Sequence, residues 1–488
     1  MNFPLRLLAA FATGAAAVLA FAPFGLGWLA PLSVALLFLL WERATPRQAF
    51  LLGWAWGAGL MGFGVFWVHH SIAQFGGLSP PLAVAITLLF ALSLALFHGL
   101  AGWLARRFFP DASLLAWPAV WTLLEWTRSW FLTGFTWLSL GYSQIDTPLA
   151  GYAPLAGVYG LSLLVALSAA LLFRWRSPWI LLLPLLWGGG WLLQQQVEWS
   201  RPAGEPLGVA LVQPNIPQAV KWRPEQFEPT LRLLADLTDQ AREARLVIWP
   251  ETAIPAFASR VETAVLEPLQ RKFAREERTL LLGIATDDGE GRYYNAMVSL
   301  GASGRGEYRK RHLVPFGEYM PLKPLLKPLV ELLAIPMSDF TPGDGGKPLL
   351  RLAGHTAGIS ICYEDTFGDE VAAALPEAAF LVNASNDAWF GDSLAPHQHL
   401  EMARMRALET GRWLLRATNT GISALIDGKG RVRQRLAQFK SGVVQGEVQP
   451  RSGVTPYARW PDWPVVVLAL ILLATAYRRG MGGAPSRP

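Results

Sequence analysis

Cysteine is almost absent from this 488-residue chain, which contains one, Cys362. A single thiol cannot form an intramolecular disulfide, so the fold must be stable without that cross-link. The thiol has two interpretations: a small buried hydrophobic side chain, as most free cysteines are, or a nucleophile. The choice depends on whether the chain supplies partners for it.

Charge is also scarce, since charged residues make up 16% of the chain and hydrophobic residues 52%. Soluble domains carry roughly 25% charged residues. The deficit is concentrated in 1–194 and 463–477, while 200–460 has an ordinary globular composition. We therefore expect a membrane domain at 1–194, a soluble domain at 195–461 that can bury its own core, and a closing membrane helix within 462–488.

Several motifs that indicate other chemistry are missing from the sequence. It contains no CxxC, HExxH, P-loop or GxGxxG pattern, so we expect no metal and no cofactor. His397 and His399 lie two residues apart with no cysteine nearby, which does not favour a zinc site. The net charge of +6 would suit nucleic acid, but the arginines fall mostly in short loops between apolar segments, which indicates membrane topology instead.

Eight apolar segments are long enough, or nearly so, to cross about 30 Å of hydrocarbon; they are 5–22, 26–41, 49–70, 82–105, 113–131, 155–173, 178–194 and 462–477. Basic residues precede the first segment's centre, occupy alternate connections and follow the last segment: Arg6, Arg43, Arg47, Arg106, Arg107, Arg174, Arg176, Arg478 and Arg479. The connections at 71–81 and 132–154 contain no Lys or Arg. Because positive loops stay in the cytoplasm, we expect both termini inside and the large soluble domain outside.

The first apolar segment also resembles a signal peptide, with a basic start, an apolar run and small residues. Pro23 directly follows Ala20, Phe21 and Ala22 and makes cleavage there unfavourable. We therefore expect a retained helix. In either case the soluble domain is exported.

Few ionisable side chains fall within the apolar segments. Glu125 and Arg128 lie three residues apart and can pair on one helix face. His69 and His70 lie at an outer end, and His98 lies inside the fourth segment. We interpret these residues as helix-packing or interfacial groups, and the lack of a chain of acids argues against an ion-coupled transporter.

The soluble region alternates strand and helix patterns. Helices are predicted at 224–243, 259–276, 368–375 and 396–410, and strands at 207–212, 246–249, 279–285, 293–300, 358–362, 380–382, 412–417, 422–426 and 441–447. Strands separated by helical patterns indicate an α/β fold.

Three predicted strand ends in this region carry an ionisable side chain: Glu251, Lys310 and Cys362. A thiol nucleophile needs a base to remove its proton and a positive group near the developing oxyanion. Each residue alone has an ordinary interpretation, as a cap or salt bridge for Glu251 and as one charge of a solvated basic turn for Lys310. Together they indicate a catalytic site, because the ends of strands are where α/β proteins expose their chemistry.

The order Glu251, Lys310 and Cys362 resembles the catalytic triad of the nitrilase (carbon–nitrogen hydrolase) superfamily. The chain resembles more closely the apolipoprotein N-acyltransferase family of Gram-negative bacteria, through the motifs LVQPNIPQ at 211–218, WPETAIP at 249–255, HLVPFGEYMP at 312–321, ICYE at 361–364 and NDAWFG at 386–391. The resemblance covers the whole chain, including seven helices before the soluble domain and one after it, which soluble nitrilases lack. No triad position departs from the pattern.

The resemblance implies a fold and a reaction. The fold is an α-helical membrane domain plus an α/β domain, with eight transmembrane helices carrying an α-β-β-α sandwich. The reaction moves the sn-1 acyl chain of phosphatidylethanolamine onto Cys362 as a thioester, and then onto the α-amino group of a diacylglyceryl-cysteine at the N-terminus of an apolipoprotein. The resemblance further implies an inner-membrane protein with a periplasmic catalytic domain and no cofactor. We expect a monomer with no nucleic-acid partner.

The resemblance also assigns roles within the site. Glu251 would be the general base, Lys310 would stabilise the oxyanion, and the backbone N–H of Tyr363 would be a second donor. Glu318 would be a further essential acid that orients Lys310. Glu364 would either support the site or lie at the surface.

Apolar loop residues are predicted to admit the lipid substrates: Trp222, Phe316, Tyr319, Met320, Trp389 and Phe390. Such side chains more often belong to a core, but Trp389 and Phe390 lie in a loop rich in Gly and Asp. Exclusion of water from this pocket would protect the thioester from hydrolysis.

Two other functions fit parts of the sequence. A membrane-tethered amidase would share the triad and hydrolyse its thioester. A transporter or receptor whose exported domain only binds would not need Cys362, so Cys362→Ala distinguishes it from both enzymes.

Overall fold

The computed structural model describes residues 1–321 and 339–482, so the predicted C-terminal tail beyond 482 lies outside the described residues. The chain divides into two compact units. The first comprises Met1–Ala73, Ser79–Val197 and the chain from Trp460 onward, and the second comprises Gln74–Leu78 and Glu198–Arg459.

The first unit is helical. Its helices before the second unit are α1 (Phe3–Ala17), α2 (Leu29–Glu42), α3 (Pro46–Gly64), α4 (Val68–Gln74), α5 (Pro80–Phe108), α6 (Ala116–Arg128), α7 (Ala153–Phe173) and α8 (Leu182–Gln196). The chain returns to this unit with the helix Trp463–Gly482.

The predicted eight membrane spans are reproduced only in part. Among the described residues, three helical stretches are long and apolar enough to cross a membrane, Phe3–Ala20, Pro80–Phe108 and Pro148–Phe173. A fourth is possible if α3 and α4, bent by 55° at their junction, form one span. The prediction exceeds this number because several apolar segments form shorter helices: α6 has 13 residues, and the segment at 178–194 begins with a 3₁₀ turn before the 15 residues of α8.

The ionisable groups of this unit contribute to packing. Glu125 and Arg128 are buried, and both bind the loop that follows α6: the Glu125 carboxylate accepts from the backbone N–H of Leu140 (3.1 Å), and Arg128 donates to the carbonyl of Trp137 (2.7 Å). His98 is buried with its ring centroid 5.2 Å from that of Trp56.

The second unit contains the strands. They are β1 (Arg201–Pro202), β2 (Leu207–Gln213), β3 (Leu246–Ile248), β4 (Ile254–Phe257), β5 (Thr279–Asp287), β6 (Tyr293–Gly301), β7 (Gly306–Arg309), β8 (Leu349–Leu352), β9 (His355–Ile361), β10 (Phe380–Ser385), β11 (Leu414–Thr418), β12 (Ser423–Ile426), β13 (Val432–Leu436), β14 (Gly442–Val448) and β15 (Arg451–Ser452). Its helices are α9 (Gln218–Lys221), α10 (Pro224–Asp239), α11 (Ala258–Val261), α12 (Glu267–Arg275), α13 (Gly368–Ala372), α14 (Ala395–Thr410) and α15 (Pro456–Arg459).

Two mixed sheets hold most of these strands. In the described chain, one sheet has the order β14-β2-β3-β5-β6-β7, with β4 beside β5, and the other has the order β13-β12-β11-β10-β9-β8. The pairs β2–β3, β3–β5, β4–β5, β9–β10 and β10–β11 are parallel, and the other pairs of these two sheets are antiparallel. The α/β prediction is thus confirmed, and both sheets are mixed.

The sheets pack face to face. One apolar cluster contains inward-facing residues of both sheets, such as Leu211 and Ile248 from the first and Ile359 and Val382 from the second. Further clusters join the outer faces to helices, with Leu234 of α10 on the first sheet and Ala403 of α14 on the second. The layers are helix, sheet, sheet and helix, and the two inner faces bring strand ends from different sheets together.

Element boundaries differ from prediction at a few places. α10 ends at Asp239, four residues early, and the helix predicted at 259–276 contains a π-helical turn at 262–266. The strands β1, β4, β8, β13 and β15 were not predicted, and β7 was predicted only through its end at Lys310. β13 is a mostly exposed edge strand with three consecutive polar residues (Arg-Gln-Arg), so it lacks the apolar pattern that marks a buried strand.

Candidate active site

The three predicted site residues follow strands of both sheets. Glu251 lies three residues after β3, and Lys310 directly follows β7; both strands belong to the seven-stranded sheet. Cys362 directly follows β9 of the six-stranded sheet. Cys362 can approach Glu251 and Lys310 only because the two sheets pack face to face.

Lys310 is buried between two carboxylates. Its Nζ lies 2.8 Å from Oε2 of Glu318 and 3.6 Å from Oε1 of Glu251. The amide of Asn295 links the same acids, since Nδ2 donates to Oε1 of Glu251 (2.7 Å) and to Oε1 of Glu318 (2.8 Å). The backbone also contributes, because the N–H of Val314 donates to Oε2 of Glu318 (2.8 Å). These bonds fix the ammonium group in position.

The charge of Lys310 follows from this environment. Burial favours the neutral amine, but the carboxylates of Glu318 and Glu251 outweigh it and hold the pKa of Lys310 above its usual value. Lys310 is therefore an ammonium ion at any physiological pH, and it remains available as a fixed positive charge.

Cys362 occupies a sharp turn between β9 and a 3₁₀ segment, Cys362–Thr366. Its φ is +50°, in the left-handed region that is unfavourable for a residue with a Cβ. Its carbonyl accepts a hydrogen bond from Nδ2 of Asn383 (3.2 Å). The surrounding structure thus holds the thiol on a strained backbone, a feature that clusters at functional sites.

The thiol is protonated at rest. Burial and the Glu251 carboxylate raise the pKa of Cys362 above its usual value, and the Lys310 ammonium acts in the opposite direction. Glu251, Lys310 and Cys362 therefore lie within electrostatic range of one another. Because little thiolate exists at neutral pH, a nucleophilic role for this thiol would require a nearby proton acceptor.

Comparison with known proteins identifies the family of the chain. Residues 13–171 match the family model for the apolipoprotein N-acyltransferase N-terminal domain, and residues 208–457 match the model for carbon–nitrogen hydrolases. Curated relatives named apolipoprotein N-acyltransferase include those of Methylococcus capsulatus (45% identity, covering 98% of this chain and 97% of the relative) and Azotobacter vinelandii (46% identity, 99% and 97%). This chain belongs to the apolipoprotein N-acyltransferase family.

Solved structures of the nitrilase superfamily also align with the chain. An amidase from Nesterenkonia sp. shows 18% identity and a TM-score of 0.37, covering 54% of this chain and 96% of the amidase. Saccharomyces cerevisiae Nit3 shows 16% identity and a TM-score of 0.38, covering 58% of this chain and 96% of that one. As a member of the apolipoprotein N-acyltransferase family, the chain is an N-acyltransferase with a carbon–nitrogen hydrolase fold.

Glu364 is buried, so the predicted alternative that this side chain lies at the surface is wrong. Its carboxylate accepts from the hydroxyl of Tyr308 (2.9 Å) and from the backbone N–H groups of Arg311 (2.7 Å) and Ile361 (2.7 Å). Burial raises the pKa of Glu364, and the backbone bonds oppose that shift. Glu364 thus joins the turn that carries Lys310 to the strand end that carries Cys362.

Glu364→Gln is expected to loosen this link. The amide places a donor where the carboxylate accepts, which leaves at least one buried N–H group unsatisfied and costs about 1–3 kcal/mol of unfolding free energy. We expect acylation of Cys362 to slow by about 10-fold or more through misalignment. Thermal melting and single-turnover acylation measure the two effects, with the exposed Glu290→Gln as control. Wild-type values in Glu364→Gln would contradict the assigned contacts.

The other predicted site residues lie in loops and 3₁₀ turns. Tyr363 is buried, with its ring centroid 5.1 Å from that of Phe367. The six apolar loop residues keep part of their surface open to solvent, with Trp222, Phe316 and Trp389 the most exposed and Tyr319, Met320 and Phe390 half-buried. Trp389 packs edge-on against Phe75, with ring centroids 4.6 Å apart.

Sequence reasoning missed several residues of the site. Asn295 lies within β6, where a polar residue in an apolar strand was the available signal. Lys221 is buried and donates from Nζ to the main-chain carbonyl of Glu251 (3.3 Å). Burial, opposed by the Glu251 carboxylate, lowers the pKa of Lys221 to about 8. His399, which had been considered only as a metal ligand, binds Asp365 and Asp387 beside Cys362.

Proposed function

We propose that this enzyme transfers the sn-1 acyl chain of phosphatidylethanolamine, through a thioester on Cys362, to the N-terminal amine of diacylglyceryl-cysteine apolipoproteins. The observation that carries the proposal is a buried Glu251–Lys310 ion pair that Glu364 joins to the strand end carrying the buried thiol of Cys362, in a chain that matches apolipoprotein N-acyltransferases along nearly its whole length.

The first half-reaction gives each group of the site a role. Glu251 accepts the thiol proton, and Sγ attacks the ester carbonyl carbon of the phospholipid. Lys310 and the N–H of Tyr363 stabilise the resulting oxyanion. When the tetrahedral intermediate collapses, the C–O bond breaks and the lysophospholipid leaves with the proton from Glu251. The products are the Cys362 thioester and the lysophospholipid.

The second half-reaction uses the same groups in reverse. The amine of the apolipoprotein attacks the thioester carbonyl, Glu251 accepts a proton from the amine nitrogen, and Lys310 again stabilises the oxyanion. The C–S bond then breaks, and the thiolate recovers its proton. The amide product keeps the acyl chain, and Cys362 returns to its thiol form.

The proposal places the protein in the bacterial inner membrane. In it, the eight apolar segments span the membrane, both termini are cytoplasmic and the domain at 195–461 is periplasmic. The domain boundaries at 1–194 and 462–488, and a monomeric state, belong to the same proposal. Its support is the alternation of basic loops and the presence of apolar helices.

The acceptor specificity can be tested with the acyl-enzyme. We expect a diacylated lipopeptide with a free N-terminal amine to discharge the thioester and gain one acyl chain, and an N-acetylated copy of the same peptide to leave it intact. Mass spectrometry of enzyme and peptide measures both. Release of free fatty acid at the same rate with and without the free amine would instead identify an amidase-like hydrolase.

A further inference from the structure

Four charged side chains form a closed cluster beside Cys362, and the mechanism above uses none of them. They are Asp365, Asp387, His399 and Arg416, each at most 2% exposed. They come from four separate elements: the 3₁₀ segment after β9, the segment after β10, helix α14 and strand β11. A buried charge cluster is costly to form, so its presence calls for a role.

The charges alternate around a ring. Asp365 accepts from Nε2 of His399 (2.8 Å) and Nη1 of Arg416 (3.1 Å). Asp387 accepts from Nδ1 of His399 (3.0 Å) and Nη2 of Arg416 (3.1 Å). Because both ring nitrogens of His399 face carboxylates, both must donate, which requires the imidazolium form. Two cations and two anions then give the ring no net charge.

The ring is connected to the backbone of the nucleophile. His399 Nε2 lies 3.3 Å from the carbonyl oxygen of Cys362. Asn383 donates to the same oxygen, and its own Oδ1 accepts from Nη1 of Arg416 (2.6 Å). Both donors to this carbonyl are therefore held by the ring, at the residue whose φ is +50°. Ser385, which donates to Asp387 (2.9 Å), also lies beside the thiol.

We propose that His399 is a positioning residue for acyl transfer. As an imidazolium held between Asp365 and Asp387, it fixes the Cys362 carbonyl and so the strained backbone that presents Sγ, and it balances the two carboxylates behind the thiol. This role deepens the proposed function and rests on Cys362 being the nucleophile.

The proposal has a pH dependence with a definite sign. Burial and the Arg416 guanidinium lower the pKa of His399, but the carboxylates of Asp365 and Asp387 outweigh them and raise it to about 9. Above that pH the ring carries one net negative charge and loses a donor. A negative charge behind the thiol disfavours both the thiolate and the oxyanion. Acylation should therefore decline as pH rises through about 9, in kcat rather than in KM.

The first experiment compares His399→Gln with wild type. Glutamine keeps one donor and removes the charge, so a permanent net negative charge remains. We expect single-turnover acylation with phosphatidylethanolamine to fall by about 100-fold, the effect of a misplacement near 1 Å, with the donor KM unchanged. The decline above pH 9 should disappear. Glu409→Gln is the matched control, because Glu409 is a buried charge on the same helix that pairs with Arg406.

A second readout does not depend on the lipid reaction. Cys362 is the only cysteine, so its alkylation by iodoacetamide reports the state of this thiol alone. In His399→Gln we expect the alkylation profile to move to higher pH, whereas unfolding would accelerate alkylation at every pH. His399→Gln/Asp387→Asn restores a neutral ring and should return the profile toward that of wild type.

The outcomes separate this proposal from the proposed function. If wild type forms no acyl adduct, the proposed function fails, and the alkylation profiles still decide the role of His399. If wild type is acylated and His399→Gln shows the same rate and the same alkylation profile, the positioning role is wrong. A loss of rate in Glu409→Gln equal to that in His399→Gln would show a general stability effect and would also overturn it.

Discussion

Replacing Cys362 by alanine is expected to abolish acyl transfer while leaving the protein folded. Loss of the nucleophile in a catalytic triad lowers turnover by roughly 10⁴-fold or more, because the covalent route disappears. The substitution removes one buried sulfur atom and keeps the Cβ, so the loss of unfolding free energy should be about 1 kcal/mol. Transfer of a labelled acyl chain and the melting temperature of the detergent-solubilised protein measure the two effects.

A companion variant separates nucleophilicity from packing. Cys362→Ser keeps an atom at the γ position but replaces the thiol by a hydroxyl, which is far less acidic. We expect it to be as inactive as the alanine variant and at least as stable. Acyl transfer at the wild-type rate by either variant would show that the chemistry occurs elsewhere, and would favour a binding function for the domain at 195–461.

Replacing Lys310 by methionine is expected to lower both activity and stability. The substitution leaves two buried carboxylates, Glu251 and Glu318, without their shared ammonium group. Removal of one partner from a buried pair costs about 3–5 kcal/mol of unfolding free energy. Loss of the positive charge that stabilises the oxyanion should slow acylation by about 10³-fold. Urea unfolding and single-turnover acylation measure these effects.

The stability loss should depend on pH and on Glu318. Protonation of an unpaired carboxylate removes its buried charge, so the deficit of Lys310→Met should shrink at acid pH. Lys310→Met/Glu318→Gln should recover part of the stability and none of the activity. Lys272→Met is the control, because Lys272 pairs with Asp239 in a half-exposed ion pair at 3.0 Å, which contributes less than about 1 kcal/mol. Equal stability losses at Lys310 and Lys272 would contradict the buried arrangement.

The strand ends of the catalytic unit could be predicted from sequence because the signals are local. An apolar run that stops at Glu251 or Cys362 marks both the strand and the chemistry at its end. Their convergence was not a local property. It depends on the inner faces of two sheets packing together, so the resemblance to a known family, not the spacing of the residues, indicated it.

The cluster around His399 was not predicted for the same reason. The register of β9 and β10 pairs Ile361 with Ala384, so Asp365 and Asp387 emerge from neighbouring strand ends although 22 positions separate them in the sequence. His399 joins them only through the packing of α14 on that sheet. A sequence does not show the pairing of β9 with β10, so from the sequence alone His397 and His399 can be assessed only as metal ligands.

The membrane half shows a further limit of hydropathy. Composition identified the apolar segments, but it could not locate the breaks within them. The chain bends by 55° between α3 and α4. α6 ends at Arg128, whose side chain donates to carbonyls of the following loop. Such contacts shorten a helix without changing its mean hydropathy.

The intact mass of the wild-type protein after incubation with phosphatidylethanolamine shows whether Cys362 forms a thioester. We expect an added mass of one fatty-acyl chain on Cys362, which hydroxylamine removes and which Cys362→Ser does not acquire. Transfer of this chain to a diacylated lipopeptide should then restore the original mass. Two results would contradict a thioester at Cys362. One is a folded wild-type protein that gains no acyl adduct, and the other is an adduct of the same mass on Cys362→Ser.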